Sequence, residues 1–217
     1  MKKILFTGAR SGIASAVIEK IKDQNYEIYL TVHTENQHKN ITQKYQNYPN
    51  IHCLKLDITN HQDRQKLNNL NIDILVNNAA IGMGGSIAEM SMEKVKQNFE
   101  VNVFSSFTLI QIVLQKMIKQ NHGKIIIMSS LAGRIPIPFL GSYCATKASI
   151  IKLTETLRKE LKMIHKNIQI VMIEPGFYHT GFNQVMFDNK YKQMDLNSYF
   201  QSQIKKIKKR EHLITKY

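Results

Sequence analysis

Six short apolar runs are spaced along the chain, and polar or amphipathic stretches separate them. Runs rich in β-branched and aliphatic residues between polar segments predict β-strands. The predicted strands cover residues 3–7, 26–32, 51–56, 72–76, 124–128 and 168–173. Because helical patterns lie between the strands, the order predicts a single α/β domain over residues 1–217 with a parallel, doubly wound sheet.

The segments between the runs predict helices of different lengths. One helix follows the first strand and ends near Asp23, and others cover residues 35–46, 61–69, 91–120 and 142–165. Ser91 is a suitable N-cap, and the apolar residues of the last helix recur with a 3.6-residue period. Residues 177–196 are rich in aromatic residues and are predicted to be irregular. A basic helix is predicted over residues 197–209.

A glycine-containing turn joins the first strand to the first helix. Gly8 and Gly12 would permit a tight turn and let the backbone approach a pyrophosphate at the helix N-terminus. This pair alone is a weak signal, because its spacing is not Gly-x-Gly-x-x-Gly. The stretch reads Thr7-Gly8-Ala9-Arg10-Ser11-Gly12-Ile13-Ala14.

A second candidate site lies on the last long helix. Tyr143 and Lys147 are four positions apart and therefore share a helix face. A nearby ammonium group favours an ionised phenol and lowers its pKa from about 10. Tyr143 is therefore a candidate acid/base group near neutral pH. Tyrosine and lysine at this spacing are common, so the pair by itself is weak evidence.

Several motifs in a fixed order resemble the short-chain dehydrogenase/reductase family. They are the glycine turn, Asn77-Asn-Ala-Ala80, Ser130, Tyr143-x-x-x-Lys147 and Pro175-Gly176. The resemblance covers residues 3–182 and implies a Rossmann-type domain that transfers a hydride between a nicotinamide cofactor and a carbonyl or secondary alcohol. Family members usually have a seventh strand, and here we expect it to be short or missing.

The resemblance also implies catalytic roles for four residues. Tyr143 would be the proton donor or acceptor, and Lys147 would bind the nicotinamide ribose and depress the pKa of Tyr143. Ser130 would hydrogen-bond the substrate oxygen, and Asn102 would support a proton relay through water. Asn102 could instead be an ordinary polar helix residue.

The remaining implied positions concern the cofactor. Asp57 and the neighbouring Ile58 would contact the adenine, although Asp57 could be a helix cap. The end of the second strand carries His33 and no acid, and Arg10 could bind a phosphate, so NADP(H) is favoured over NAD(H). The other implied cofactor contacts are Gly8, Ser11, Gly12, Ile13, Asn78, Ala79, Ala80, Tyr143, Lys147, Pro175, Gly176 and Thr180. Ala14 and Ala80 stand where the family usually has glycine.

The expected substrate is a small carbonyl or alcohol with an apolar body. Candidate pocket walls are residues 81–83, Leu131, residues 135–139 and residues 177–196. Residues 177–210 would form a lid and a basic helix. We find no metal-binding cluster of histidines with carboxylates or cysteines.

Composition constrains the partners and the compartment. The net charge of +14 comes from 30 basic and 16 acidic residues. Lysines spread over the surface explain it better than a nucleic-acid site, since aromatic residues do not interleave with the basic cluster at 204–210. No apolar run predicts a membrane-spanning helix. Two cysteines without an export signal indicate a cytoplasmic protein.

The sequence leads to three hypotheses about function and to one predicted oligomeric state. The first is an NADP(H)-dependent oxidoreductase, and the second is a catalytically silent dinucleotide-binding regulator on the same fold. A nucleic-acid binder using residues 205–210 is the third. We expect a homodimer through the helices at 91–120 and 142–165.

Overall fold

The computed structural model describes residues 1–164, 167–176, 178, 181–192, 198–204, 206 and 207. The elements alternate along the chain as predicted. The strands are β1 Lys2–Phe6, β2 Tyr26–Val32, β3 Ile51–Lys55, β4 Ile74–Asn77, β5 Gly123–Met128 and β6 Ile168–Ile173. The helices are α1 Gly12–Ile21, α2 Glu35–Lys44, α3 His61–Gln65, α4 Met92–Phe99, α5 Ser106–Gln120, α6 Gly141–Ile164 and α7 Phe182–Lys192.

All six strands form one parallel sheet in the order β3-β2-β1-β4-β5-β6. The order reverses between β1 and β4, which is where a doubly wound sheet opens a crevice at the carboxyl ends of its strands. The predicted parallel, Rossmann-type fold is therefore confirmed. The seventh strand was expected beyond residue 207, which lies outside the described residues.

The two faces of the sheet carry separate hydrophobic cores. In β1, Ile4 and Phe6 point to a core shared with α1 and α2, whereas Leu5 points to the opposite core, which includes α5 and α6. This alternation follows from the two-residue period of a strand. Ala14, where the family usually has a glycine, is 3% exposed in the first of these cores.

Helices α4 and α5 form one continuous helical stretch with a π-helical turn at Glu100–Ser105 between them. By length and composition the stretch Met92–Gln120 could cross a membrane, a candidate that the sequence analysis did not find. Half of its most apolar window is buried inside the fold, as in the core helix of a globular protein. This pattern is weak evidence for a membrane span.

Two predictions about local structure were wrong or incomplete. Residues 182–192 form helix α7 and not the predicted irregular segment. The prediction was wrong because the aromatic residues of this stretch obscured its helical pattern. The predicted helix at 61–69 divides into α3 and a 3₁₀ turn at Lys66–Asn69. A helical turn covers residues 201–204, and much of the remainder of the predicted basic helix lies outside the described residues.

Candidate active site

The glycine turn after β1 is built for close approach of the backbone. Gly8 has a φ of +64°, in the left-handed region that side chains other than glycine rarely adopt. A Cβ atom on Gly8 would lie 2.8 Å from the Cα atom of Ala79. Ser11 then caps α1, its hydroxyl oxygen accepting a hydrogen bond from the Ala14 amide at 3.3 Å. This turn leaves the positive end of α1 facing the crevice.

Asn78 fastens the glycine turn to the end of β4. Its amide nitrogen donates to the carbonyl oxygens of Thr7 and Gly8 at 3.1 and 3.0 Å, and to the Ser11 hydroxyl at 3.1 Å. The Thr7 hydroxyl oxygen accepts from the backbone amides of Asn78 and Ala79, both at 2.9 Å. The two motifs that the sequence placed at separate strand ends therefore form one rigid unit.

The predicted adenine-side residues also come together. The imidazole Nε2 of His33, after β2, lies 3.1 Å from a carboxylate oxygen of Asp57, after β3. Burial alone would raise the pKa of Asp57, but hydrogen bonds from Thr59 and the contact with His33 lower it overall. Arg10 is exposed on the glycine turn. A carboxylate and a basic ring therefore flank the carboxyl ends of β2 and β3.

A buried carboxylate that the sequence analysis missed holds Asp57 in place. Asp63 is 6% exposed and accepts hydrogen bonds from the Asp57 amide at 2.8 Å and from Lys55 at 2.7 Å. Lys66 donates to its other oxygen at 2.7 Å. Burial favours the neutral acid, yet the two lysines and the Asp57 amide lower the pKa of Asp63 below its usual range.

Tyr143 and Ser130 lie together at the wall of a pocket. Ser130 follows β5, where its hydroxyl oxygen accepts from the Ala132 amide at 3.1 Å. Tyr143 lies in the first turn of α6 and is 5% exposed. Burial raises the pKa of Tyr143, and hydrogen bonding to Ser130 opposes that rise. The phenol is therefore protonated at neutral pH.

Lys147 is buried one turn after Tyr143. Its ammonium donates to the Met128 carbonyl oxygen at 3.0 Å and lies 5.6 Å from the centre of the Tyr143 ring. Burial lowers the pKa of Lys147 to about 8. We expected Lys147 to lower the pKa of Tyr143. That prediction is wrong, because desolvation of the buried phenol raises its pKa overall.

Asn102 ties the π-helical turn to the loop after β4 and to α6. Its side-chain oxygen accepts from the Ile81 amide and its nitrogen donates to the Ile81 carbonyl oxygen, both at 2.9 Å. The same nitrogen donates to the Thr146 hydroxyl at 3.1 Å. Asn102 is 1% exposed, so it is a buried connector and not an ordinary surface polar residue.

A small cleft opens beside Tyr143. Ser130 and Asn183 are its polar lining residues apart from Tyr143, and the others are aliphatic, sulfur-containing or glycine and proline. The full lining is Ser130, Leu131, Ala132, Ile135, Ile137, Leu140, Tyr143, Pro175, Gly176, Asn183 and Met186. The predicted walls at Leu131, 135–139 and 177–196 thus all contribute, whereas the predicted wall at 81–83 does not line this cleft. Thr180 and Phe177 lie outside the described residues.

The loop before α6 meets the C-terminal segment. Phe139 adopts a φ of +62°, and its ring packs edge-on against Phe200 at 5.4 Å between centroids. Glu89 accepts hydrogen bonds from the Ser198 hydroxyl at 2.9 Å and the Tyr199 amide at 2.8 Å. Residues 198–200 are therefore anchored to Glu89 and to the loop at 135–140, which lines the pocket. Within the described residues no three metal-ligating side chains cluster.

Comparison with known proteins identifies the family. The short chain dehydrogenase family profile matches residues 2–191. A probable short-chain type dehydrogenase/reductase of Helicobacter pylori is 30% identical over 85% of this chain, which spans 68% of that protein. The NADPH-dependent 3-dehydrocapnine reductase of Ornithobacterium rhinotracheale is 31% identical over 92% of this chain and 74% of its own length.

Solved structures agree with the sequence comparison. A serine dehydrogenase complexed with NADP⁺ is 28% identical with a TM-score of 0.78, over 88% of this chain and 79% of that one. A Burkholderia phymatum short-chain dehydrogenase/reductase in complex with NAD shares the fold, with a TM-score of 0.83 over 100% of this chain and 80% of that one at 23% identity. Both NADP and NAD complexes thus occur among the structural neighbours. On the profile match and the shared fold, this chain belongs to the short-chain dehydrogenase family.

Proposed function

We propose that the protein reduces an apolar carbonyl compound with NADPH, or oxidises the corresponding secondary alcohol with NADP⁺. The arrangement of Ser130, Tyr143 and Lys147 beside a cleft lined mainly by apolar residues carries this proposal. The named reductases among its relatives support the reaction class. A silent regulator would have no need of a buried phenol and a buried ammonium one helical turn apart.

The residues at the carboxyl ends of the strands fit a dinucleotide. The Gly8 turn has no space for a Cβ atom, and the N-terminus of α1 favours a pyrophosphate. Asp57 and Ile58 would border the adenine, while Pro175 and Gly176 would border the nicotinamide next to Tyr143. Bound NADPH would supply the hydride.

The chain's own groups would handle the proton and the carbonyl oxygen. Tyr143 would donate its phenolic proton to that oxygen, because its raised pKa keeps it protonated at neutral pH. Ser130 would hold the same oxygen by a hydrogen bond and so stabilise its developing charge. The Lys147 ammonium would then stabilise the phenolate that Tyr143 becomes.

Preference for NADPH rests on charge. Arg10 and His33 are exposed at the place where an adenosine 2′-phosphate would lie, and the end of β2 lacks a carboxylate. An arginine can bind a phosphate with two hydrogen bonds. Comparing Michaelis constants for NADPH and NADH tests this point. Equal constants, or an NADPH constant unchanged in Arg10→Ala, would contradict it.

The decisive experiment for the reaction is an NADPH-oxidation screen over apolar ketones, aldehydes and 3-ketoacyl thioesters. We expect turnover of at least one class by the natural sequence and none above background by Tyr143→Phe. Binding of NADPH without turnover of any carbonyl compound would favour the regulatory alternative. The polar Asn183 in an otherwise apolar wall makes a substrate with one distal polar group a useful member of the panel.

We also propose a homodimer in the cytoplasm. Phe104 and Leu153, on the two long helices, are 59% and 42% exposed, which an interface between copies would cover. Cys53 and Cys144 are free thiols, as a reducing compartment requires. Sedimentation analysis tests the assembly, and a monomer at micromolar concentration would contradict it.

A further inference from the structure

Asn98 repeats, one helical turn earlier, the contacts that Asn102 makes. Its side-chain oxygen accepts from the Met83 amide at 3.1 Å, and its nitrogen donates to the Met83 carbonyl oxygen at 3.0 Å. The same nitrogen donates to the Ser142 hydroxyl at 2.9 Å. Asn98 is fully buried, at 0% exposure. Its side-chain oxygen and both of its N–H donors are therefore engaged.

The partners of the two asparagines are also one turn apart on α6. Asn98 binds Ser142, which precedes Tyr143, and Asn102 binds Thr146, which precedes Lys147. The four residues are 0% to 2% exposed, so water does not compete for these hydrogen bonds. Each asparagine thus fixes the helical turn that carries one of the two reacting side chains.

Each asparagine also holds the loop at residues 81–83. Ile81 and Met83 are bound through both backbone polar groups, and Gly82 lies between them. A Cβ atom on Gly82 would lie 2.6 Å from the sulfur of Met186, which lines the cleft. Gly82 therefore packs directly against the Met186 side chain of α7.

We propose that Asn98 is a positioning residue for Tyr143. It sets the depth and rotation of the first turn of α6 through Ser142, and through Met83 it fixes the loop at 81–83 that packs behind the pocket residue Met186. Asn98 touches neither substrate nor cofactor, and the proposal rests on the proposed function of Tyr143. A displacement of the phenol by about 1 Å would be enough to lower the rate of proton transfer strongly.

The test compares three buried polar side chains. Asn98→Ala removes the whole connection, and Ser142→Ala removes only its contact with α6. Thr154→Val is the matched control, because Thr154 is on the same helix at 0% exposure and its hydroxyl has no hydrogen-bond partner in the described part of the chain. All three variants are examined for melting temperature, amide hydrogen exchange and steady-state kinetics.

We expect kcat to fall about 10- to 100-fold in Asn98→Ala, with KM for NADPH changed less than about twofold. Ser142→Ala should show a smaller loss, and the double variant should lose less than the product of the two. In the cofactor-free protein, exchange should accelerate at residues 81–85 and in the first turn of α6 only. Thr154→Val should leave kcat and exchange at the natural values.

Three outcomes overturn the proposal. They are unchanged exchange at residues 81–85 in Asn98→Ala, accelerated exchange throughout the sheet, or a kcat equal to that of Thr154→Val. If Asn98→Ala does not fold, the Ser142→Ala results decide by the same criteria. If the natural sequence turns over no carbonyl compound, the proposed function fails, whereas the exchange data still decide whether Asn98 fixes the first turn of α6.

Discussion

The two ends of the sheet use polar residues in opposite ways. At the amino end, Asp73 accepts from the Lys3 amide at 2.7 Å and from His122 at 3.0 Å, and its backbone bonds to Lys3 and Lys124. These groups are partly exposed, so burial penalises their charges little. At the carboxyl end, Tyr143 and Lys147 are almost fully buried. The amino end stabilises three strands, whereas the carboxyl end buries the Lys147 ammonium, whose charge the folded state disfavours.

This difference between the two ends shows which residues serve function and which serve stability. Burial shifts the pKa of Lys147 down to about 8, which means that the folded state disfavours the charge. That charge is needed only if a phenolate has to be stabilised next to it. Substitution of Lys147 at the carboxyl end should therefore lower activity and spare or raise stability, and substitution of Asp73 at the amino end should do the reverse.

The largest combined effect on activity and stability is expected for Lys147→Met. We expect carbonyl reduction to fall about 100-fold or more, because the phenolate of Tyr143 loses its cation. Stability at pH 7 should rise by about 1–3 kcal/mol, since a buried charge is replaced by an apolar group of similar length. Urea denaturation at several pH values measures this change.

The pH dependence of that gain follows from the direction of the pKa shift. The pKa of Lys147 is lowered on folding, so the unfolded chain binds more protons between about pH 8 and pH 10.5. The natural protein should gain stability across that range, and its difference from Lys147→Met should shrink. A difference that stays constant from pH 7 to pH 10 would contradict the assignment.

Gly8→Ala should be the next largest change. Alanine at a φ of +64° is strained by about 1 kcal/mol or more, and its Cβ atom would press on the Ala79 backbone. We expect NADPH affinity to fall at least about tenfold, because the turn must open where the pyrophosphate would lie. Fluorescence titration with NADPH measures the affinity. Gly123→Ala is the control, since its Cβ atom would press on Met117 at the opposite end of the sheet and should leave the affinity unchanged.

Asp73→Ala should affect stability and leave chemistry intact. It removes a hydrogen bond to the Lys3 amide and the ion pair with His122, for an expected loss of about 1–3 kcal/mol. Thermal unfolding gives the loss, and kcat at a temperature where both proteins are folded gives the comparison. A large decrease in kcat would break the proposed separation between the two ends.

The smallest expected effect concerns His122. Hydrogen bonding to the Gln120 carbonyl and to Asp73 raises the pKa of His122, so its contribution is present below pH 6.5 and is lost as pH rises through the folded-state pKa. Because the side chain is 55% exposed, His122→Gln should change stability at pH 5.5 by only about 0.2–0.5 kcal/mol. No difference should remain at pH 8.5.

Much of the architecture could be predicted because the signals are local. Each strand is a short apolar run between polar segments, and β2 and β6 have the predicted bounds. The motifs follow the carboxyl ends of strands, and a parallel sheet brings all carboxyl ends to one side. The residues that meet there are Gly8, Asn78, Ser130 and Pro175. Helix α7 could not be predicted, because it is aromatic-rich and packs partly against the pocket.

The pKa shifts in the site could not be predicted, because they depend on how deeply each side chain is buried. A helical spacing shows that Tyr143 and Lys147 share a face, but not that desolvation raises the pKa of one and lowers that of the other. Asn98 was missed although its position, one turn before Asn102, was visible. Its role depends on Met83 and Ser142, which only the fold brings to it.

The most direct test is carbonyl reduction by Tyr143→Phe at saturating NADPH and substrate, together with its NADPH affinity. Removing one buried hydroxyl should leave NADPH binding within about twofold and lower kcat by about 10²- to 10⁴-fold, the usual contribution of a general acid. Retention of most of the natural kcat in this variant would show that the proton comes from elsewhere and would contradict the assignment of Tyr143.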